Sequence, residues 1–188
     1  MKHLGTQRLA TERLILRKYT LEDAAAMYEN WASDPCVTKF LTWPCHDSVK
    51  TSEGILTGWI ESYQNPGFYN WAIVLKEEGP LPIGNISVVK AEDCVKMAQL
   101  GYCIGKKWWN RGIVSEAVAA VIRFLFTEVG MNRIEARHDP KNPNSGKVML
   151  KCGMQYEGTL READCNNRGI CDCAMYAILA EEYKADKT

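Results

Sequence analysis

The chain has 188 residues, a length that fits one domain with a full hydrophobic core better than two. Apolar residues make up 46% and charged residues 24%, which are the proportions of a globular protein and exclude a disordered or fibrous one. The formal net charge is zero, so no global field attracts a polyanion, and no local basic stripe predicts nucleic-acid binding. We therefore predict a single domain over residues 1–188 and no nucleic-acid partner.

The eight cysteines do not predict a disulfide scaffold, because a chain of this length does not need one and its first residues do not resemble a secretory signal. A reduced, cytoplasmic protein is the simpler interpretation. The longest continuous apolar run, residues 117–122, is far shorter than the roughly 20 residues of a membrane span. We predict no spanning segment and no membrane partner.

The first half of the chain predicts a strand, a helix, an irregular stretch, a second helix and a hairpin. Their expected bounds are 13–17, 24–28, 34–44, 48–63, and 68–75 with 83–89. Residues 20–23 resemble a capping box before the first helix, and Asp47 or Ser48 is placed to cap the second. Branched and aromatic residues on both sides of a Gly-Pro turn indicate the hairpin.

The second half predicts alternating strands and helices followed by two final strands. Their expected bounds are 97–104, 113–125, 133–138, 144–152, 155–163 and 170–179. Apolar residues recur at helical spacing between Ile113 and Leu125, and Gly130 is a C-cap candidate. Without internal repeats, this order favours an α/β class fold around one mixed, mostly antiparallel sheet of about seven strands, with helices on both faces.

The strongest functional signal lies between the strand of residues 97–104 and the helix that follows it. Residues 109–112 form a glycine-containing turn into a helix N-terminus, where unpaired backbone N–H groups and the helix dipole suit a pyrophosphate. Gly112 allows the backbone to approach such a group closely. An isolated turn of this kind is more often an ordinary connection, so the neighbouring motifs decide its meaning.

This turn resembles the signature motif Q/R-x-x-G-x-G/A of the GNAT superfamily of N-acetyltransferases. Trp109, Gly112 and Val114 occupy its three fixed places, and the glycine alone matches strictly. The fuller pattern Trp-x-Arg/Lys-Gly-Ile-x-Ser/Thr-Glu-Ala is similar to a variant in the branch that acetylates ribosomal-protein N-termini. The resemblance therefore points to that branch.

Three other segments support the same resemblance. Residues 142–154 resemble the family pattern N-x-x-S/A…K-x-G-F, and residues 11–17 and 156–158 also look like the ribosomal-protein branch. The resemblance covers nearly the whole chain. It implies the GNAT fold, in which the strands expected at 97–104 and 133–138 splay apart and leave a cleft for the pantetheine arm.

The resemblance implies acetyl-CoA as the acyl donor. The backbone of Tyr102, Cys103 and Ile104 is then expected to pair with pantetheine amides. Asn142 and Ser145 are expected beside the pantetheine arm. The amides expected at the pyrophosphate are those of Trp109, Asn110, Arg111, Gly112, Ile113, Val114 and Ser115, with the Arg111 side chain adding charge.

Acetyl transfer to an amine needs a group that removes a proton and one that protonates the leaving thiolate. Many GNAT enzymes use a tyrosine as the acid, but the matching position here is Met149, which donates nothing. The resemblance carries the acid role to Ser145, which alternatively satisfies backbone N–H groups at a helix start. It carries the base role to Asp164, which alternatively caps a turn, with His138 as the second candidate.

The predicted acceptor is a primary amine, either a protein or peptide N-terminus or a small molecule. An α-amino group, with a pKa of about 7.7 to 8.0, needs less help from a base than a lysine, with a pKa near 10.4.

The alternative is a non-catalytic protein that binds coenzyme A as a sensor or assembly factor. The late cysteines lack the paired spacing of zinc ligands, so we predict no metal site. Monomer and homodimer both remain open.

Overall fold

The computed structural model describes residues 1–183, which contain one eight-stranded sheet. The strands are β1 (Leu9–Ala10), β2 (Leu14–Arg17), β3 (Asn70–Leu75), β4 (Pro82–Glu92), β5 (Met97–Ile104), β6 (Arg133–His138), β7 (Gln155–Asn166) and β8 (Gly169–Leu179). Their spatial order is β1-β2-β3-β4-β5-β6-β8-β7, and β5 with β6 is the parallel pair among antiparallel neighbours. The predicted mixed sheet is confirmed. The eighth strand is β1, whose two residues are too few to leave an alternating pattern.

Five helices accompany the sheet. They are α1 (Ala24–Met27, continued by a π turn over Tyr28–Ala32), α2 (Pro35–Thr38), α3 (Val49–Ser62), α4 (Ile113–Phe124, continued by a π turn over Leu125–Val129) and α5 (Pro143–Lys151). The Ser48 hydroxyl accepts the Thr51 N–H at 3.3 Å, so Ser48 is the cap that starts α3. The stretch predicted to be irregular contains α2, one turn long. No helix of the described residues is long and apolar enough to cross a membrane.

Helices cover both faces of the sheet, as predicted, and the central strand β3 is therefore buried along its whole length. Successive side chains of a strand point to opposite faces. Trp71 and Ile73 pack in the larger core cluster with residues of α4, while Ala72 packs with residues of α1 and α3. A strand covered on both sides needs mostly apolar side chains, which its Trp-Ala-Ile-Val-Leu sequence supplies after the buried Asn70.

Strands β5 and β6 pair for only half of their length. The pairing runs from Met97 opposite Arg133 to Leu100 opposite Ala136, and no pair follows it. Residues 101–104 remain paired with β4 on their other side. One backbone edge of β5 is therefore unpaired where the two strands part, and the splay implied by the family resemblance is confirmed.

Candidate active site

A cleft of about 540 Å³ opens where β5 and β6 part. The end of β5, the first turn of α4 and one side of α5 along its length form its walls, and the loop after α2 and the tip of the β7–β8 hairpin lie at one end. The predicted cofactor residues that line it are Tyr102, Cys103, Ile104, Trp109, Asn110, Gly112, Ile113, Val114, Ser115, Asn142 and Ser145. The catalytic candidates Asp164 and His138 line it too. The chain fold thus brings residues from five separate segments to one site.

The turn before α4 has the backbone geometry that a phosphate needs. Asn110 and Gly112 have φ values of +60° and +73°, and Gly112 is the residue that caps α4. The Trp109 indole donates to the Ile104 carbonyl at 2.9 Å and fixes the turn against the end of β5. The first N–H groups of an α-helix have no partner within the helix, and the first residues of α4, Ile113 to Ser115, line the cleft.

Arg111 is the one predicted cofactor residue that does not line the cleft. Its guanidinium donates to Glu78 at 3.1 Å and to Glu77 at 2.9 Å, in the turn between β3 and β4. Hydrogen bonds from Lys107 and Arg111 lower the pKa of Glu78 to about 2, so this carboxylate stays charged. Within the described residues, the Arg111 charge is already paired.

Lys151 is a cation at the cleft to which sequence reasoning gave no role. Its ammonium would lie 3.7 Å from a Cβ atom added to Gly112, and its side chain lines the cleft. The ion pairs of residues 1–183 do not include it. Lys151 belongs to the K-x-G-F part of the family pattern, but its distance from Gly112 depends on the packing of α5 beside α4.

Two side chains at the unpaired end of β5 have pKa values well above their usual range. The Tyr102 hydroxyl donates to the Ser145 carbonyl at 3.0 Å and joins β5 to α5 across the cleft. Burial raises the pKa of Tyr102 above its usual value and raises the pKa of the Cys103 thiol to about 12. Because a thiolate is the nucleophilic form of cysteine, Cys103 is unsuited to carrying an acetyl group.

We expect Cys103 to resist alkylation. With a pKa of about 12, only about one Cys103 thiol in ten thousand is ionised at pH 8. Iodoacetamide should therefore modify the exposed Cys36 at least about tenfold faster than Cys103, as measured by peptide mass spectrometry over time. Equal rates at the two cysteines would show that Cys103 is ionised and open to solvent.

Ser145 and Asn142 stand together at the start of α5. Asn142 is the residue before the first helical turn, and its side-chain amide donates to the Ser145 hydroxyl at 3.5 Å. The Ser145 backbone N–H donates to the Asn142 carbonyl at 3.1 Å. Asn142 makes no side-chain capping bond, and the hydrogen bonds of residues 1–183 join the Ser145 hydroxyl to the Asn142 amide and to no backbone N–H. The Ser145 hydroxyl therefore stays available to a group in the cleft. Met149 lies in the core, 1% exposed.

The two base candidates have different surroundings. Asp164 forms an ion pair with Arg137 at 3.2 Å and also accepts the Cys165 N–H at 2.9 Å. His138 Nδ1 lies 2.8 Å from the Asp139 carbonyl, so Nδ1 carries the proton and Nε2 is the basic nitrogen. That Nε2 atom is buried against Gly146 without a hydrogen-bond partner in the described residues. Asp164 is thus the more open of the two.

Sequence reasoning missed three charged residues of the cleft besides Lys151, namely Arg137, Asp139 and Lys147. Arg137 and Asp139 flank His138 and line the same cleft. They lie at the end of β6 that parts from β5, Arg137 as its next-to-last residue and Asp139 directly after it, and that position is the signal that could have found them. No group of three or more His, Cys, Asp or Glu side chains in residues 1–183 is arranged to hold a metal ion.

A half-open parallel strand pair with a glycine-capped helix N-terminus at the same cleft defines an acyltransferase that takes its acyl group from coenzyme A. The free edge of β5 fits the amides of pantetheine, and the α4 N-terminus fits a pyrophosphate. The acetyltransferase (GNAT) domain family matches residues 13–155. The chain belongs to this family and is an acetyl-CoA-dependent N-acetyltransferase.

Individual relatives agree with this assignment. The chain is 34% identical over 176 residues to N-acetyltransferase p20 of Bacillus licheniformis, covering 93% of this chain and 97% of the relative. It is 29% identical over 164 residues to the [ribosomal protein uS5]-alanine N-acetyltransferase of Escherichia coli (strain K12), covering 82% and 81%. Among solved structures, the GNAT acetyltransferase from Bacillus anthracis superimposes with a TM-score of 0.81 at 28% identity, covering 93% of this chain and 99% of that one.

Proposed function

We propose that this enzyme acetylates the N-terminal amine of a peptide or protein by direct attack on acetyl-CoA within a ternary complex, as a single domain. The observation that carries the proposal is the cleft itself, in which a free strand edge and a helix N-terminus lie at one side and polar catalytic candidates at the other. One continuous cavity lets both substrates bind before transfer. A cytoplasmic location agrees with an acetyl-CoA substrate.

The acyl donor lies along β5 in this proposal. Backbone groups of Tyr102, Cys103 and Ile104 pair with pantetheine, Asn142 contacts the same arm, and the amides of residues 109–115 hold the pyrophosphate. Lys151 supplies the positive charge at the phosphates, because Arg111 is engaged by Glu77 and Glu78.

The chemical step joins the amine nitrogen to the acetyl carbon and breaks the carbon–sulfur bond. The incoming ammonium must first lose a proton, and we assign its removal to Asp164, which faces the cleft on β7. His138 is the second candidate. The departing thiolate takes a proton from the Ser145 hydroxyl. The attacking nitrogen loses its second proton as the amide forms, and this proton returns through solvent to Ser145. The products are the N-acetylated amine and free coenzyme A.

The acceptor end supports an N-terminal amine. Phe40, Leu41 and Trp43 form an apolar wall, and Asp164 and Arg137 lie on the same cleft. An apolar wall suits the first side chain of a peptide, and an α-amine needs only a weak base. One relative at 29% identity is named as a ribosomal-protein alanine N-acetyltransferase, which fits the same acceptor class.

Thiol release from acetyl-CoA tests the proposal. A panel would pair hexapeptides that have free or formylated N-termini and would add polyamines and aminoglycosides. We expect turnover with free N-terminal peptides and none with their formylated partners. Binding of acetyl-CoA without turnover of any amine would favour the alternative of a coenzyme A sensor. Turnover confined to aminoglycosides would show that the acceptor is an aminoglycoside and not a peptide N-terminus.

A pair of variants tests the charge at the phosphates. Lys151→Ala should weaken acetyl-CoA binding about tenfold by calorimetry, with the difference shrinking at high salt, because a cation beside the phosphates is lost. Arg111→Ala should weaken it less than about threefold. A larger loss in Arg111→Ala than in Lys151→Ala would return the phosphate-binding role to Arg111.

A further inference from the structure

Three acidic residues of the described chain are at most 9% exposed, and one of them forms no ion pair. Asp23, 2% exposed, pairs with Arg17 at 2.7 Å, and Glu135, 9% exposed, pairs with Arg133 at 3.1 Å. Asp139 is 8% exposed, and the ion pairs of residues 1–183 do not include it. A buried charge without an opposite charge is costly, so the exception calls for a cause.

The partners that Asp139 does have are neutral. Its Oδ1 accepts the Lys141 backbone N–H at 2.8 Å, and its Oδ2 accepts the Asn166 side-chain amide at 3.0 Å. A carboxylate can accept about four hydrogen bonds, so capacity remains on both oxygens. Two neutral donors satisfy the geometry of this group but leave its charge uncompensated.

Asp139 also differs from the other two buried carboxylates in its position. It lines the cleft, whereas Asp23 and Glu135 do not. It lies at the acceptor end, because Asn166, its partner, is at the tip of the β7–β8 hairpin, and Asn167 binds the carbonyls of Thr38 and Trp43 in the opposite wall. The guanidinium of Arg137, which lines the same cleft, is engaged by Asp164. The uncompensated charge therefore faces the space where the acceptor enters.

We infer that Asp139 binds the ammonium group of the acceptor, so that the substrate supplies a cation that the described residues do not. This inference rests on the proposed function and narrows it to acceptors that enter the cleft as protonated primary amines. Asp139 holds the nitrogen beside the thioester, and the proton then leaves as in the proposed reaction. Acceptors with a neutral or anionic group at this position bind poorly.

Kinetics with a hexapeptide that begins with alanine tests the inference. Asp139→Asn keeps the size of the side chain and an oxygen for the Lys141 N–H but removes the charge. We expect the KM for the peptide to rise about 30-fold, with the dissociation constant for acetyl-CoA unchanged within about twofold. The control is Asn166→Ala, which removes the same hydrogen bond to Asp139 and leaves the charge, and should raise the KM less than about threefold.

Equal effects of the two variants would mean that Asp139 only anchors the hairpin. An unchanged KM in Asp139→Asn would overturn the inference while leaving the proposed function intact.

A crystal of the wild-type protein with coenzyme A and L-alaninamide shows without turnover whether Asp139 binds the acceptor ammonium. We expect the ammonium nitrogen about 3 Å from an Asp139 oxygen. An empty acceptor end at saturating alaninamide, or a nitrogen bound elsewhere, would contradict it. If no amine is acetylated, the proposed function fails and this crystal still tests Asp139.

Discussion

Gly112→Glu is expected to weaken acetyl-CoA binding by at least about 100-fold, measured by calorimetry. The added carboxylate repels the pyrophosphate and can pair with Arg13 and Lys151, each 3.7 Å from the position of the new Cβ. The residue has a φ of +73°, so any side chain there also adds backbone strain. Repulsion of the pyrophosphate, neutralisation of Arg13 and Lys151, and backbone strain therefore all weaken acetyl-CoA binding.

Gly112→Gln is the matched control, because glutamine has the size and the strain of glutamate without the charge. We expect it to weaken binding clearly less than Gly112→Glu. The added Cβ meets only the ends of two flexible side chains at ordinary contact distance, and both variants carry the same backbone strain. A thermal melt of both variants checks that they fold alike. Wild-type affinity in Gly112→Glu would show that the phosphates do not bind at this turn.

Trp71→Ala should lower the free energy of unfolding by about 4 kcal/mol. Trp71 is fully buried on β3, stacks on Tyr69 with ring centroids 6.0 Å apart, and meets the edge of Phe124 at the same distance. Its indole N–H also donates to the Gln7 carbonyl at 2.6 Å, which would lose this partner. The substitution opens a large cavity between the sheet and α4.

Urea unfolding measures this loss. Since domains of this kind have only about 5–15 kcal/mol of stability in total, Trp71→Phe provides a milder variant if the alanine variant does not fold, with an expected loss of about 2 kcal/mol. Trp109→Ala is the control for stability, because Trp109 is 40% exposed and should lose less than about 1 kcal/mol. Equal losses at the two tryptophans would contradict the assignment of Trp71 to the core.

The sequence predicted every element that is long enough to show a clear period. Strands β5 and β6 have the predicted bounds, 97–104 and 133–138, and α3 begins after the predicted Ser48 cap. The one-turn helix α2 and the two-residue strand β1 were missed, since neither is long enough for a periodic pattern. A periodic pattern of apolar residues is a local feature of the sequence, so an element that is long enough to contain one can be predicted without knowing the fold.

The features of the cleft were likewise predicted from the sequence only in part. The sequence alone determined the family, the glycine turn and most residues that line the site. Only the tertiary structure decided that Arg111 pairs with Glu77 and Glu78, that Lys151 lies beside Gly112, and that Asp139 is buried without a cation. Charge pairing and burial depend on residues more than 30 positions apart, as with Arg111 and Glu78, and such distances are set by the packing of strands and helices and not by the local pattern.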